Sequence, residues 1–350
     1  MRTIDPGLAI RVFDYSENPR ELLRELSEPL LHLKSSQQLP VVHVRRGWLH
    51  GSHLLLVARP YGERAVDASG FTAVAAELAA ARAGRTPDQE SYLRRAAELA
   101  RWENVEDELL PCHPQGHVTA EPYRPRLDSP ALAQAVDQIM GRFLEPVLGS
   151  LTVPESELLP HLTHVMALLA RTHPRGISAG ALPYRSHSEG VASATGNHAD
   201  LKSAFAARYL SDRAVFLDAL QAPVQDETLR AWERAMQYAW GVAEAHTAGL
   251  AVDERVLQTT AGSADWEHPL GTPVRSDFIG EVLDGGMLRN PSYRHIAHRI
   301  VLNVLYTSLT CFGITPMQRY YLCYGLGEGT DELTGETSIE RVRAFSRELA

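Results

Sequence analysis

Tyr184-Arg185-Ser186-His187-Ser188-Glu189 is the densest run of reactive side chains in the sequence. It offers a near-neutral proton shuttle, a carboxylate that could orient it, hydroxyls and a fixed cation. On an extended backbone Arg185, His187 and Glu189 share one face. The run either contacts substrate and moves protons or is a polar loop that satisfies its own backbone. His161-Leu-Thr-His164 and His295-Ile-Ala-His298 each place two imidazoles three apart on a helix, within reach of one metal. Neither pair has a carboxylate in a recognised metal-site pattern, and with 15 histidines such pairs arise by chance. The His187-x-Glu189 spacing also lacks the downstream P-C-x-x-C of zinc deaminases. Late in the chain Ser292-Tyr293-Arg294 opens a helix that carries Asn303, Tyr306 and Ser308, with Gln318-Arg-Tyr-Tyr321 on the next. Mid-helix hydroxyls commonly bond back to their own helix, and buried phenols commonly find a partner, so these groups can be purely structural. No G-x-G-x-x-G follows a strand, and neither a phosphate-binding G-x-x-x-x-G-K-[ST] nor a G-x-S-x-G elbow occurs, which disfavours nucleotide enzymes and ordinary α/β-hydrolases.

The elements that must position these groups change character along the chain. Ala9 to Tyr15, Leu39 to Arg45 and Ser52 to Ala58 read as strands, the last two adjacent and antiparallel through Arg46-Gly-Trp-Leu-His-Gly51. A helix from Asn18 carries Leu22, Leu23, Leu26, Leu30 and Leu31. From Phe71 onward apolar residues recur at helical intervals: Phe71 to Ala83, Pro87 to Glu108, Ser129 to Val147 and Pro154 to Arg171, where Pro160 ends the first turn or kinks the helix. Further helices are expected over Asn197 to Leu210, Pro223 to Thr247, Ser292 to Phe312, Thr315 to Leu326 and Ser338 to Leu349. Pro111 to Pro130, Thr172 to Thr195 and Ala261 to Pro273, the last holding Trp266 and His268, read as irregular stretches able to carry sites. The expectation is an α+β fold: one unit over residues 1–350, with a small N-terminal antiparallel sheet in 1–65 and a predominantly helical remainder in 66–350.

Composition narrows the function. The chain has 350 residues, 44% apolar, with 43 acidic against 34 basic side chains and a formal charge of −9. This excludes a coiled coil, a collagen-like chain and a mainly disordered protein, and it supplies no overall cationic footprint for nucleic acid. Three cysteines, Cys112, Cys311 and Cys323, cannot all pair and show no C-x-x-C spacing, which fits a reducing compartment. The most apolar tract, Val301 to Gly313, is too short to span a bilayer. The first residues lack the apolar core of a secretion signal, so a cytoplasmic location is expected.

Two motifs carry a resemblance. The hairpin Arg45-Arg-Gly-Trp-Leu-His-Gly-Ser-His-Leu-Leu-Leu-Val-Ala58 and the late stretch Val301 to Ile314, followed by Thr315-Pro-Met-Gln-Arg-Tyr-Tyr-Leu-Cys-Tyr324, resemble the elimination domain of class I lanthipeptide dehydratases. They are more similar to the stand-alone thiopeptide relatives of that domain. In the eliminating enzymes the hairpin strand typically reads H-L-R-L-R and the late helix carries a catalytic histidine. Here Leu55 and Val57 stand at the two arginine positions, and Leu305 to Thr310 contains no histidine. A scaffold of that shape without those groups resembles the thiopeptide pyridine synthases, which join two dehydroalanines of a ribosomally made peptide in a formal [4+2] cycloaddition.

The resemblance implies a cofactor-independent reaction on a modified precursor peptide, composed of a leader and a dehydrated, azole-containing core, with other biosynthetic enzymes as further partners. Chemistry and position, rather than the resemblance, assign the roles. His187 and Glu189 are expected to handle protons near the departing groups, and Tyr293, Tyr306 and Ser308 to hydrogen-bond the reacting amide. Arg45, Arg46, Trp48 and His53 on the hairpin, with Arg185, Ser188, Ser292 and Gln318, are expected to contact peptide. No metal ligand is assigned. Three alternatives stay open: an elimination lyase acting on glutamylated Ser/Thr, a non-catalytic leader-binding subunit, and a metal hydrolase built on the paired histidines. Guanidinium and imidazole groups returned to the reaction chamber from elsewhere in the chain, or the lack of a cavity able to take a folded peptide loop, would remove the ring-forming assignment.

Overall fold

The computed structural model describes residues 7–16, 18–62, 64–103, 105–125, 127, 129–194, 198–224, 226–255, 276–285 and 291–349. The expected segment Ala261 to Pro273 lies outside them. The chain forms two compact units, Met1–Thr152 with Val304–Gly313, and Val153–Asn303 with Ile314–Ala350.

The first unit is built on an antiparallel sheet of β1 (Leu8–Phe13), β2 (Val41–Gly47), β3 (His53–Arg59) and β4 (Val118–Pro122), in the order β2-β3-β1-β4. The β2–β3 hairpin expected from sequence is present, with Gly47 paired to His53. Its tip needs glycine at 51, where φ is +123° and a Cβ would lie 2.0 Å from the Tyr15 hydroxyl. β4 falls within Pro111 to Pro130, read above as irregular; it is a short edge strand with mostly exposed side chains, so it lacks the alternation that reveals a half-buried strand. Helices α1 (Pro19–Glu25), α2 (Ser27–Ser36), α3 (Ser69–Ala80), α4 (Gln89–Glu103) and α5 (Pro130–Ser150) complete the unit. Leu22, Leu23, Leu26 and Leu30 enter the core, whereas Leu31 faces outward.

α5 packs on β2, and Asp137 from α5 is buried there. Its carboxylate accepts from Arg59 Nη1 at 2.7 Å and the Tyr123 hydroxyl at 2.9 Å, and lies 3.2 Å from His43 Nε2. Burial pushes this carboxyl up, but His43, Tyr123 and Arg59 outweigh it and hold Asp137 below its ordinary range. Asp137→Ala would remove the acceptor shared by the half-buried Arg59 guanidinium and Tyr123 phenol and the partner of the buried His43. The expected cost is about 1–3 kcal/mol, the scale of lost buried hydrogen bonds, read from urea unfolding midpoints.

The second unit is helical among the described residues: α6 (Glu155–Arg171), α7 (Ile177–Gly180), α8 (Leu182–Ala194), α9 (His198–Gln221), α10 (Glu227–Ala248), α11 (Asp277–Asp284), α12 (Tyr293–Leu309, within this unit to Asn303), α13 (Pro316–Thr334) and α14 (Ser338–Leu349). Pro160 lies inside α6 rather than ending its first turn. Thr315 opens α13 as anticipated, through a reciprocal capping box with Gln318. α13 packs against α8 and α9, and Gly325 makes the approach possible, since a Cβ there would meet the Phe216 ring at 2.1 Å. Among the described residues no helix is long and apolar enough to cross a membrane.

Candidate functional site

The reactive run is helical, which corrects the irregular reading of Thr172 to Thr195. Pro183 falls in the first turn of α8, where no backbone N–H is needed, and Ser188 donates to Arg185 O at 3.0 Å. The helical twist puts Arg185 and Glu189 on one face and His187 on another. Arg185 binds Glu328 at 2.7 Å, Asp331 at 3.0 Å and the Ser338 hydroxyl at 3.2 Å. Asp331 is shared with the buried Arg341 at 2.6 Å. Glu189 lies 2.8 Å from Lys202 and 3.9 Å from Arg185. Burial raises its pKa, yet Lys202 and Arg185 win and keep it below the ordinary carboxylate range. Arg185 and Glu189 are thus engaged in a buried ionic network, and the expected His187–Glu189 pairing does not form.

His187 faces a different set of groups. Arg299 of α12 and Arg319 of α13 act on it, and burial with these charges drives its pKa down to about 3. His295 and His298 of α12 and His173 of the α6–α7 connection belong to the same cluster. His173 and His298 lie 5.0 Å apart by ring centroid, and Trp240 of α10 is 5.6 Å from His298 and 5.5 Å from His173. Burial followed by Arg175 and Arg294 lowers His173 to about 4, and burial followed by Arg299 and His173 lowers His295 to about 4. His298 is held well below its usual value by burial and its three histidine neighbours. Near neutral pH these imidazoles are therefore uncharged, able both to donate and to accept a proton, beside guanidiniums suited to a developing oxyanion.

Sequence reasoning saw in His295 and His298 only a metal pair. The signal it missed is Arg299, one turn beyond His295 and adjacent to His298, which turns the pair into part of a basic cluster. Among the described residues no group of three or more His, Cys, Asp or Glu is arranged to hold a metal ion. His164 of the other pair lies 3.1 Å from Asp218.

Several expected residues serve local structure. Ser292 accepts from His295 N at 3.2 Å, as a helix cap. Gln318 completes the capping box of α13. Tyr293 lies half-buried at the start of α12, its carbonyl accepting from the Thr247 hydroxyl at 3.0 Å. In the first unit Tyr306 is buried, while Ser308 is 1% exposed and donates to Val304 O at 3.0 Å, with Met140 Sδ 3.7 Å away. That hydroxyl is committed to its own helix.

On the hairpin, Arg45, Arg46 and Trp48 are half-buried. Arg46 donates its backbone N–H to the Thr310 hydroxyl at 3.2 Å and its guanidinium to Ser52. His53 is buried, 2.8 Å from Gly51 O through Nδ1 and 5.1 Å from the Phe13 ring, and burial first of all takes its pKa to about 3. Leu55 and Val57 pack with Ala9 and Tyr123 in an apolar cluster. An open cleft of about 620 Å³ between α11 and α14, lined by Asp277, Glu281, Asp284, Glu340 and Arg343, holds none of the expected residues.

No family model and no curated protein matches the sequence. Solved structures do match the fold. The chain is similar to a pyridine synthase, TbtD, from thiomuracin biosynthesis, with TM-score 0.70 and 19% identity over 94% of this chain and 99% of that one. It is similar also to TsrL, with TM-score 0.54 and 14% identity over 96% and 97% of the two chains. A tRNA-dependent lantibiotic dehydratase, MibB, from Microbispora sp. 107891 aligns with TM-score 0.44 and 13% identity, over 96% of this chain and 29% of the dehydratase. The α+β fold expected from sequence is thus the fold of a pyridine synthase.

Proposed function

We propose that this protein is a thiopeptide pyridine synthase. The observation that carries the reading is the shared fold with TbtD across almost the whole of both chains. The apolar packing of Leu55 and Val57, where eliminating relatives have arginines, supports it. In the proposed reaction the amide preceding one dehydroalanine tautomerises to its iminol, giving a 2-azadiene. Two carbon–carbon bonds form: one between the two alkene CH₂ carbons, the other from the former carbonyl carbon to the α-carbon of the second dehydroalanine. Water leaves the former carbonyl carbon and the leader departs from that α-carbon as its amide, which completes the pyridine. Holding both alkenes in reacting geometry corresponds to effective molarities of about 10⁵ M or more, or ~7 kcal/mol of barrier. His187, uncharged beside Arg299 and Arg319, is the proposed proton carrier for tautomerisation and departure.

One observation favours a second reading. The guanidiniums of Arg299 and Arg319 beside several imidazoles are the kind of groups that would assist expulsion of glutamate, so an elimination lyase is the competitor. Incubation of the full chain with a linear bis-dehydroalanine precursor separates the two. Ring formation gives a mass loss of water plus leader amide and a new pyridine absorbance. Glutamate release from a glutamylated peptide, with the bis-dehydroalanine substrate unchanged, would replace the first reading with the second. Tight binding of the precursor without turnover would indicate a leader-binding subunit.

A further inference from the structure

Among the described residues of the second unit, α12 carries basic groups that lack counter-groups. Arg299 is half-buried on α12 and makes no hydrogen bond or ion pair among the described residues. One turn earlier on the same helix, His295 Nε2 is buried without a hydrogen-bond partner, and so is Nε2 of His298, a residue only 3% exposed. Buried polar atoms in folded proteins are almost always satisfied, so these orphans call for a partner. Among the described residues, the charged and titratable groups acting on the four clustered histidines are Arg175, Arg294, Arg299, Arg319 and the histidines themselves, with no carboxylate. Arg294 is already paired with Glu244 at 3.1 Å.

We propose that Arg299, His295 and His298 form a binding site for a carboxylate, the C-terminal carboxylate of a peptide. A planar carboxylate has lone pairs enough to accept a guanidinium fork and two further N–H donors. The orphaned Nε2 atoms of neutral His295 and His298 supply those donors in their Nε2–H tautomers. Charge selects carboxylate over phosphate: a monoanion is balanced by the one uncommitted guanidinium, whereas a phosphate dianion would bring a second buried negative charge. The rings of Trp240 and His173 stand beside His298 and offer an apolar wall to the residue that bears the carboxylate. This site shares Arg299 with the surroundings of His187, but it rests on unpartnered groups and not on any reaction.

The test is calorimetric titration of the full chain with N-acetylglycine, with N-acetylglycinamide as the uncharged control and inorganic phosphate as the competing anion. N-acetylglycine is expected to bind saturably and the amide not to bind. Arg299→Gln is expected to weaken binding by about tenfold or more, the scale of a charge-assisted hydrogen-bonded pair. His298→Gln, which keeps the net charge, provides a second variant should the first misfold, and is expected to weaken binding by a smaller factor. Equal binding of acid and amide, unchanged affinity in both variants, or tighter binding of phosphate than of N-acetylglycine would each overturn the proposal. A chain that binds N-acetylglycine but forms no pyridine would retain this site and lose only the ring-forming reading.

Discussion

His187→Ala is expected to slow pyridine formation by about 10²–10⁴-fold, with little change in the concentration of precursor needed for half-maximal rate. Iminol formation moves a proton from amide nitrogen to oxygen, and departure of water and leader moves others. A group that both donates and accepts while uncharged suits these transfers. His187 has that state because burial, with Arg319 and Arg299, lowers its pKa to about 3. The rate on this limb should therefore stay flat between roughly pH 5 and 8, where an ordinary histidine would titrate near 6.5. A rate that falls with protonation near pH 6.5, or an alanine variant with wild-type turnover, would remove His187 from the reaction. His187→Gln, similar in size and polarity, separates lost chemistry from lost packing: it should keep the thermal midpoint near wild type while losing most of the rate.

Acidification is expected to destabilise the fold well before carboxylates protonate. His43, His53, His173, His187, His295 and His298 all have folded pKa values below the ordinary 6.5, with burial as the first cause in each case. The unfolded chain therefore takes up protons at these positions before the folded chain does. Stability falls as pH drops below about 6.5 and continues to fall until the folded values are reached. For a group displaced to about 3, as His53 and His187 are, the loss by pH 5 is about 2 kcal/mol. His43 and His298 are shifted in the same direction and lower stability over the same interval. Asp137 acts in the same direction at lower pH: its contribution is present above the unfolded value near 3.9 and lost as pH falls through its lowered folded value. Urea midpoints measured from pH 7 to 5 should fall steadily. Amide exchange should show α8 and α12 losing protection first, because His187, His295 and His298 lie on them. Midpoints independent of pH over that interval would mean that the imidazoles are solvated.

Much of the fold was legible because it follows local rules. The β2–β3 hairpin is set by alternating apolar strands around a glycine turn, and the Thr315-Pro316-Met-Gln318 start of α13 is specified within four residues. α8 was hidden because Pro183, Gly190 and its serines each argue against helix when read singly. In the fold Pro183 occupies the one turn that tolerates it, and α13 packing supplies what propensity withholds. The polar pairings were the least legible. His43 and Asp137 meet across 94 positions, and Arg185 meets Glu328 across 143, distances over which no local pattern operates. Reading His187 with Glu189 failed for the same reason: their relation depended on a backbone conformation that tertiary packing decides. The basic cluster was half visible, in the helical spacing of His295, His298 and Arg299, while His173 and His187 join it only through the fold.

The most direct measurement labels the carbonyl oxygen of the amide preceding the azadiene dehydroalanine with heavy oxygen and follows it by mass spectrometry during turnover of the bis-dehydroalanine precursor. Cycloaddition through the iminol makes that oxygen the one expelled, so the pyridine product should carry no label and the released water should carry all of it. A labelled ring product, or an unchanged precursor in a reaction that frees glutamate from a glutamylated peptide, would contradict ring formation by this protein.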